Sequence, residues 1–193
     1  MLCGVLALQG DWAAHARVLA DMGVETMQVR TAAELAVVDA LVLPGGESTA
    51  MLRLMEPENL TERISRRVRD GMPVLATCAG VILLAARTTP PQSCLGLLDV
   101  DIERNAYGRQ VHSRVAPVEL DPEMGQPGTL EAVLIRAPKI TRAGPEVQVL
   151  GTLGDEPVLV RQNRIVAATF HPELTDERRV HRLLVDEEAR HGR

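Results

Sequence analysis

The chain has 193 residues, 46% of them apolar and 24% charged, with a formal net charge of −5. One Trp, one Tyr and one Phe leave Val, Leu, Ile, Ala and Met to build the core, and few surfaces on which bases could stack. With the acidic balance, this argues against nucleic acid as a partner. The length suits one α/β domain that buries about 70% of its unfolded surface.

Residues 2–8 read as a buried strand closed by Gln9-Gly10; no basic leader precedes them, so a signal peptide is not expected. Residues 12–22 follow as a helix with Ala16, Leu19 and Ala20 on one face and Gly23 as its stop. A second strand is expected at 25–29, a short helix at 32–37 and a third strand at 39–43, ending in Pro44-Gly45-Gly46. Ser48 or Thr49 is expected to cap a helix running to about Met55, which Pro57 breaks. Residues 59–70 form a charged helix with Glu62 and Arg66 spaced i,i+4, stopped by Gly71. Residues 73–77 read as a strand and 81–86 as an apolar helix. This β-α alternation over the first 86 residues predicts a parallel sheet covered on both faces.

The texture then changes. Residues 88–93 are a polar, Pro-rich loop, and 97–103, 110–120, 132–135, 147–153, 158–161 and 165–170 read as strands with few helices between. A turn is expected at 125–128 and an amphipathic helix at 178–189, with Val180, Leu183 and Leu184 on one side and a frayed end at 190–193. No repeat or long linker divides the chain, so residues 1–193 are expected to form a single domain. No apolar run approaches the ~18 residues of a membrane span. The three cysteines, at 3, 78 and 94, lack disulfide or metal spacing, which points to a reducing cytoplasm.

The chemistry centres on Cys78. Thr77-Cys78-Ala79-Gly80 joins the strand at 73–77 to the helix at 81–86 with little room for a turn. A strand that turns so sharply lifts its central side chain out of the sheet and aims the next backbone N–H groups at whatever that side chain attacks. The position next to a helix start also favours a thiolate. Without this setting the ordinary reading is a small buried apolar cysteine.

A cysteine nucleophile needs a base, and the base needs an orienting group. Of His15, His112, His171, His181 and His191, only His171 directly follows a strong strand and has a carboxylate two residues on. In His171-Pro172-Glu173 the proline is expected to hold the backbone extended, so that residues i and i+2 project to one side. Glu173 then accepts from one ring nitrogen and leaves the other for the thiol proton. Strand ends of a parallel sheet meet at one edge, which makes the encounter with Cys78 feasible. His15, His181 and His191 read as solvated, and His112 stays unassigned. Gly45 and Gly46 fall at the same edge, where paired glycines let backbone approach a ligand. The N–H groups of Gly46 and Ala79 would form an oxyanion hole. Arg104 and Arg136, at or after strand ends, could grip a carboxylate.

An elbow cysteine, a distant His-Pro-Glu and a Pro-Gly-Gly loop together resemble the class I glutamine amidotransferases. Further segments are similar to one branch, the glutaminase subunits of pyridoxal 5′-phosphate synthases. They are G-V-L-A-L-Q-G at 4–10, L-P-G-G-E-S-T at 43–49, T-C-A-G at 77–80, L-G-L-L at 95–98, E-R-N at 103–105, G-R-Q-V at 108–111, I-R-A-P at 135–138 and F-H-P-E-L-T at 170–175. The resemblance implies a three-layer α/β sandwich, flavodoxin-like, with a mostly parallel central sheet. It implies that Cys78 attacks the side-chain amide of L-glutamine to form a glutamyl thioester, with His171 and Glu173 completing a triad. Gly46, Glu47, Ser48, Arg104, Ile135 and Arg136 fall on glutamine-binding positions, and Gln9 on a loop reorganised when a synthase subunit docks. Ammonia would pass internally to that subunit. No cofactor or metal is implied.

Three places depart from the pattern. Ala76 stands where the elbow usually begins with glycine, His112-Ser113-Arg114 where the family has Asp-Ser-Phe, and the loop at 121–128 differs in size. Two other readings stay open on the residues alone. One is another elbow-cysteine hydrolase, such as a stand-alone γ-glutamyl hydrolase; the other is an interaction module that kept the fold and lost the chemistry.

Overall fold

The structure is a computed structural model that describes residues 1–106, 114–122 and 128–191. The motif at 108–111, His112, Ser113, the start of the strand expected at 110, most of the turn at 125–128 and the last two residues lie outside the described residues.

The first half alternates as the sequence implies: β1 (Leu2–Leu6), α1 (Trp12–Asp21), β2 (Glu25–Val29), α2 (Ala32–Val37), β3 (Ala40–Leu43), α3 (Ser48–Met55), α4 (Leu60–Arg69), β4 (Val74–Thr77) and α5 (Ala79–Leu84). The second half is rich in strands: β5 (Ala85–Thr89), β6 (Leu98–Glu103), β7 (Arg114–Leu120), β8 (Gly128–Leu134), β9 (Lys139–Ala143), β10 (Gln148–Leu153), β11 (Glu156–Gln162) and β12 (Ile165–Ala168), closed by α6 (Arg179–His191). Nine strands form one sheet in the order β2-β1-β3-β4-β12-β11-β10-β7-β8. The five strands from β2 to β12 are parallel, and the remaining four join antiparallel. Strands β5, β6 and β9 form a separate small sheet.

The period of two along each central strand divides the core. Leu41 and Leu43 face one side, with Leu35 of α2, Met51 and Met55 of α3, Ile64 of α4 and Val81 of α5. Ala40 and Val42 face the other side, with Leu19 of α1 and Val180 and Leu184 of α6. Helices therefore cover both faces, which gives the expected three layers. Burying each such Leu or Val contributes on the order of 1.5–3 kcal/mol.

Several local readings need correction. The α3 cap is Glu47, not Ser48 or Thr49: its carboxylate accepts from the N–H groups of Thr49 at 3.2 Å and Ala50 at 2.8 Å. Ser48 already lies inside the helix, and its hydroxyl donates to Gln92 Oε1 at 2.9 Å. The apolar helix starts at Ala79 and ends at Leu84, because Ala85 leaves it to pair with Leu98 in the small sheet. Strand β9 has no counterpart in the sequence reading; Lys139, Thr141 and Arg142 hide it among charged and polar residues.

Candidate active site

Strand β4 ends at Thr77 and α5 begins at Ala79, so Cys78 makes the turn alone. Its backbone takes φ 46° and ψ −104°, a left-handed conformation that a non-glycine residue rarely adopts. Two hydrogen bonds hold it there: Cys78 N–H to Ala168 O at 2.9 Å, and Val81 N–H to Cys78 O at 3.1 Å. Gly80 lets α5 lie directly on β3, since a Cβ there would collide with the Leu43 carbonyl. Ala76, the departure from the usual glycine, is fully buried between β3 and β12 in unbroken register with Leu43 and Ala167.

Ala168 pairs with Thr77, so β12 ends beside β4 and delivers His171 to the elbow. The His171 backbone N–H donates to Val133 O at 2.9 Å, anchoring the segment to β8. The ring Nδ1 lies 2.7 Å from Glu173 Oε1. This contact forms differently from the sequence expectation. Pro172–Leu174 is one turn of 3₁₀-helix, not extended backbone, and the turn folds Glu173 back against the ring. His171 and Glu173 are 8% and 6% exposed, so this pair sits in a medium that strengthens every charge interaction. Burial alone would lower the His171 pKa, but hydrogen bonds with Cys78 and Glu173 and their charges outweigh it and hold the ring well above its usual range. Burial likewise pushes the Glu173 carboxyl up, and hydrogen bonds from His15 and His171 more than reverse it, keeping the group a carboxylate. Cys78, His171 and Glu173 thus come together from two strand ends.

The glycine loop lies across them. A Cβ on Gly45 would run into the His171 ring and stand 3.4 Å from Cys78 Cβ. Gly46 takes φ 149°, and a Cβ there would strike the Gln9 side chain. Gln9 Nε2 donates to Glu47 O at 3.2 Å, and Gly10 packs so tightly on the Gly45 carbonyl that only glycine fits. The loops after β1 and β3 are therefore joined. Ala79 is buried in the first turn of α5, next to the sulfur.

Of the other expected substrate positions, Ile135 reaches the elbow: its carbonyl oxygen lies 3.9 Å from Cys78 Sγ. Arg136 follows it, exposed, with φ 46°. The Glu47 carboxylate is engaged as the α3 cap, and the Thr49 hydroxyl first, then the α3 N–H groups and Arg104, hold its pKa down. Arg104 follows β6, and its N–H donates to Thr89 O at 2.7 Å.

The sequence reading misplaced two histidines. His15 and His181 are not solvated; both are fully buried. His15 Nε2 lies 3.3 Å from Glu173 Oε2 and 3.0 Å from Thr77 Oγ1, and His15 Nδ1 lies 2.9 Å from His181 Nε2. Their helix positions carried the signal. His15 precedes Val18 and Leu19 by three and four residues, and His181 precedes Leu184 by three, which puts both on the buried stripes. Among the described residues no group of His, Cys, Asp and Glu is arranged to hold a metal ion, and all three cysteines are free. No helix of the described residues is long and apolar enough to cross a membrane.

The family model described as SNO glutamine amidotransferase family matches residues 5–190. The chain is 48% identical over 187 residues to the pyridoxal 5′-phosphate synthase subunit PdxT of Thermotoga petrophila, covering 96% of this chain and 98% of that one. It is 48% identical over 186 residues to the PdxT subunit of Frankia alni, covering 95% of this chain and 92% of the relative. A solved structure described as a glutamine amidotransferase superposes with a TM-score of 0.89 at 42% identity, covering 97% of this chain and 98% of that one. By its sequence over nearly its full length and by its fold, the chain belongs to the SNO glutamine amidotransferase family.

Proposed function

We propose that the chain, as one domain over residues 1–193, is the glutaminase subunit of a pyridoxal 5′-phosphate synthase. It hydrolyses L-glutamine to L-glutamate and ammonia and hands the ammonia to a synthase subunit. The observation that carries this reading is the Cys78 elbow facing an imidazole whose far nitrogen is held 2.7 Å from a buried carboxylate. The matches to PdxT subunits along 92–98% of their length support the choice of synthase partner.

The chemistry follows from the parts. Cys78 sulfur attacks the side-chain amide carbon of glutamine, and His171 carries the proton of the thiol. The carbonyl electrons move onto oxygen, where the N–H groups of Gly46 and Ala79 receive the charge. As the C–N bond breaks, His171 gives its proton to the leaving nitrogen and ammonia departs. A glutamyl thioester remains. Water then attacks it, His171 takes the water proton and returns it to sulfur, and glutamate leaves. Glu173 keeps Nδ1 protonated and the ring aimed through each transfer. Glu47, Ser48, Arg104, Ile135 and Arg136 line the glutamine site in this reading, and Gln9 couples it to the docked synthase. Ammonia needs a protected path because protonation in bulk water removes its lone pair. Three free cysteines suit a reducing cytoplasm.

The test is glutamate release by the chain, alone and mixed with a synthase subunit. Release that rises on mixing and disappears in Cys78→Ser is the expected result. Negligible hydrolysis in the mixture, while a reference pair works under the same conditions, refutes the reading.

A further inference from the structure

The triad does not end at Glu173. Behind it, fully buried, the line continues from Glu173 Oε2 to His15 Nε2 at 3.3 Å, and from His15 Nδ1 to His181 Nε2 at 2.9 Å. Glu173 Oε2 is buried, and among the described residues it has no aligned hydrogen-bond donor; His15 Nε2 approaches it at ion-pair distance only. At the far end, His181 Nδ1 is buried with no hydrogen-bond partner among the described residues. We infer that His15 is a positioning residue that holds the Glu173 carboxylate for His171, and that His181 fixes the His15 tautomer.

The argument is one of satisfying donors. A buried N–H without an acceptor costs more than a buried bare nitrogen, because the donor loses its strong bond to water. The orphan Nδ1 of His181 is therefore the nitrogen without a proton, and Nε2 carries it. That N–H donates to His15 Nδ1. The His15 proton then sits on Nε2, which is hydrogen-bonded to Thr77 Oγ1 at 3.0 Å and stands 3.3 Å from Glu173 Oε2, a close approach without hydrogen-bond alignment. Burial above all pushes the His181 pKa down to about 3, against the opposing charge of Glu173, so His181 remains the neutral member that this scheme requires.

The groups facing His15 come from three elements. They are Thr77 at the end of β4, Glu173 on the 3₁₀ turn, His181 on α6 and, across Glu173, His171. Thr77 is the residue directly before the nucleophile. His15 thus ties both strand ends of the site to α1, and His181 ties α1 to α6. A carboxylate fixed at one oxygen only would pivot about it; the His15 ring packed 3.3 Å from the second oxygen limits that freedom.

The inference rests on the glutaminase reading only for its turnover assay; alkylation of Cys78 is independent of substrate. The experiment compares wild type with His15→Gln, His15→Asn, His15→Leu and His181→Leu, and repeats His15→Leu in a Glu173→Ala background. Gln keeps a donor where Nε2 stood, and Asn does not. The pH dependence of Cys78 alkylation by iodoacetamide, followed by mass measurement, is one readout; kcat and KM for glutamine with the synthase subunit present are the other. His15→Leu and His15→Asn are expected to lower the alkylation rate and kcat about tenfold or more with KM unchanged, the scale of losing a partner one step behind a reacting group. The acid limb of the alkylation profile moves to higher pH, because Glu173 loses a partner that favours its charged form. His15→Gln keeps most of the rate, and His181→Leu falls between. In the Glu173→Ala background, His15→Leu adds under about twofold, because the two act through one path.

Equal losses in the Gln and Asn variants overturn the inference. So does an unmoved pH profile, or the same His15→Leu factor with and without Glu173. If His15→Leu does not fold, the Gln and Asn pair decides. Should alkylation follow the pattern while no protein, wild type included, hydrolyses glutamine, the positioning role stands and the glutaminase reading fails.

Discussion

The nine-stranded sheet is two sheets in character. In its parallel part, β3, β4 and β12 are buried at every position, because helices cover both faces. In its antiparallel part, β7 runs exposed-exposed-buried-exposed-buried-exposed-buried, with one face on the core and one facing outward. The candidate chemistry gathers at the parallel part. Cys78 and His171 leave the C-terminal ends of adjacent strands, and the glycine loop leaves a third. The antiparallel part contributes at the margin, through the Val133 carbonyl that anchors His171 and the Ile135 carbonyl beside the sulfur. Parallel strands point all their exits one way, so they concentrate backbone ends at one rim. Antiparallel strands divide their exits between two rims and serve better as a wall.

Substitutions can break this contrast. The largest effect is expected at the elbow: Cys78→Ser should reduce glutamine hydrolysis by about 10³-fold or more while the melting curve and synthase binding stay near wild type. His171→Ala should cost nearly as much, and Glu173→Ala less, because Glu173 orients the ring without itself moving the proton. A larger loss for Glu173 than for His171 in steady-state kinetics would reverse the assigned roles.

Next comes the core of the parallel part. Leu75 is fully buried in β4, and Leu75→Ala should cost about 2–5 kcal/mol in denaturant unfolding. Val115 on β7 is 61% exposed, and Val115→Ala should stay within about 0.5 kcal/mol. Equal losses would mean that the outer face of β7 is covered in solution.

Gly45→Ala sharpens the contrast at the site itself. Its methyl would meet the His171 ring, so hydrolysis should fall about 10²-fold, the cost of displacing a reacting group by roughly 1 Å, with little change in melting temperature. A last test concerns pH. Folding raises the His171 pKa from 6.5 to about 10, so within that window the folded chain holds a proton that the unfolded chain releases. The stabilisation from this ring is complete below pH 6.5 and is lost as pH rises toward 10. Melting temperatures of wild type and His171→Gln across that range should converge as pH rises.

Much of the parallel part was legible because its rules are local. Apolar runs bounded by Gly10, Gly23, Gly45 and Gly71 mark strands and turns, and a cysteine between a strand and an apolar helix marks the elbow. The His-Pro-Glu segment was legible as residues but not as shape, since Pro172 starts a 3₁₀ turn as readily as it extends a chain. The antiparallel part was less legible. β9 carries Lys139 and Arg142, whose charges find Glu156 and Asp101 only once the chain has folded. His15 and His181 were hidden for the same reason. A histidine is assigned to water unless its partner is known, and here the partners lie 166 positions apart.

Cys78 holds φ 46° and ψ −104° between two backbone hydrogen bonds of the chain itself. A side chain in that region costs on the order of 1–3 kcal/mol, and the surrounding hydrogen bonds must outweigh that cost throughout the life of the molecule. The turn that aims the sulfur is therefore held by Ala168 and Val81, contacts that belong to the fold and not to a substrate. Heat tolerance is what the fold gives up for that turn, at the residue where the proposed reaction would begin.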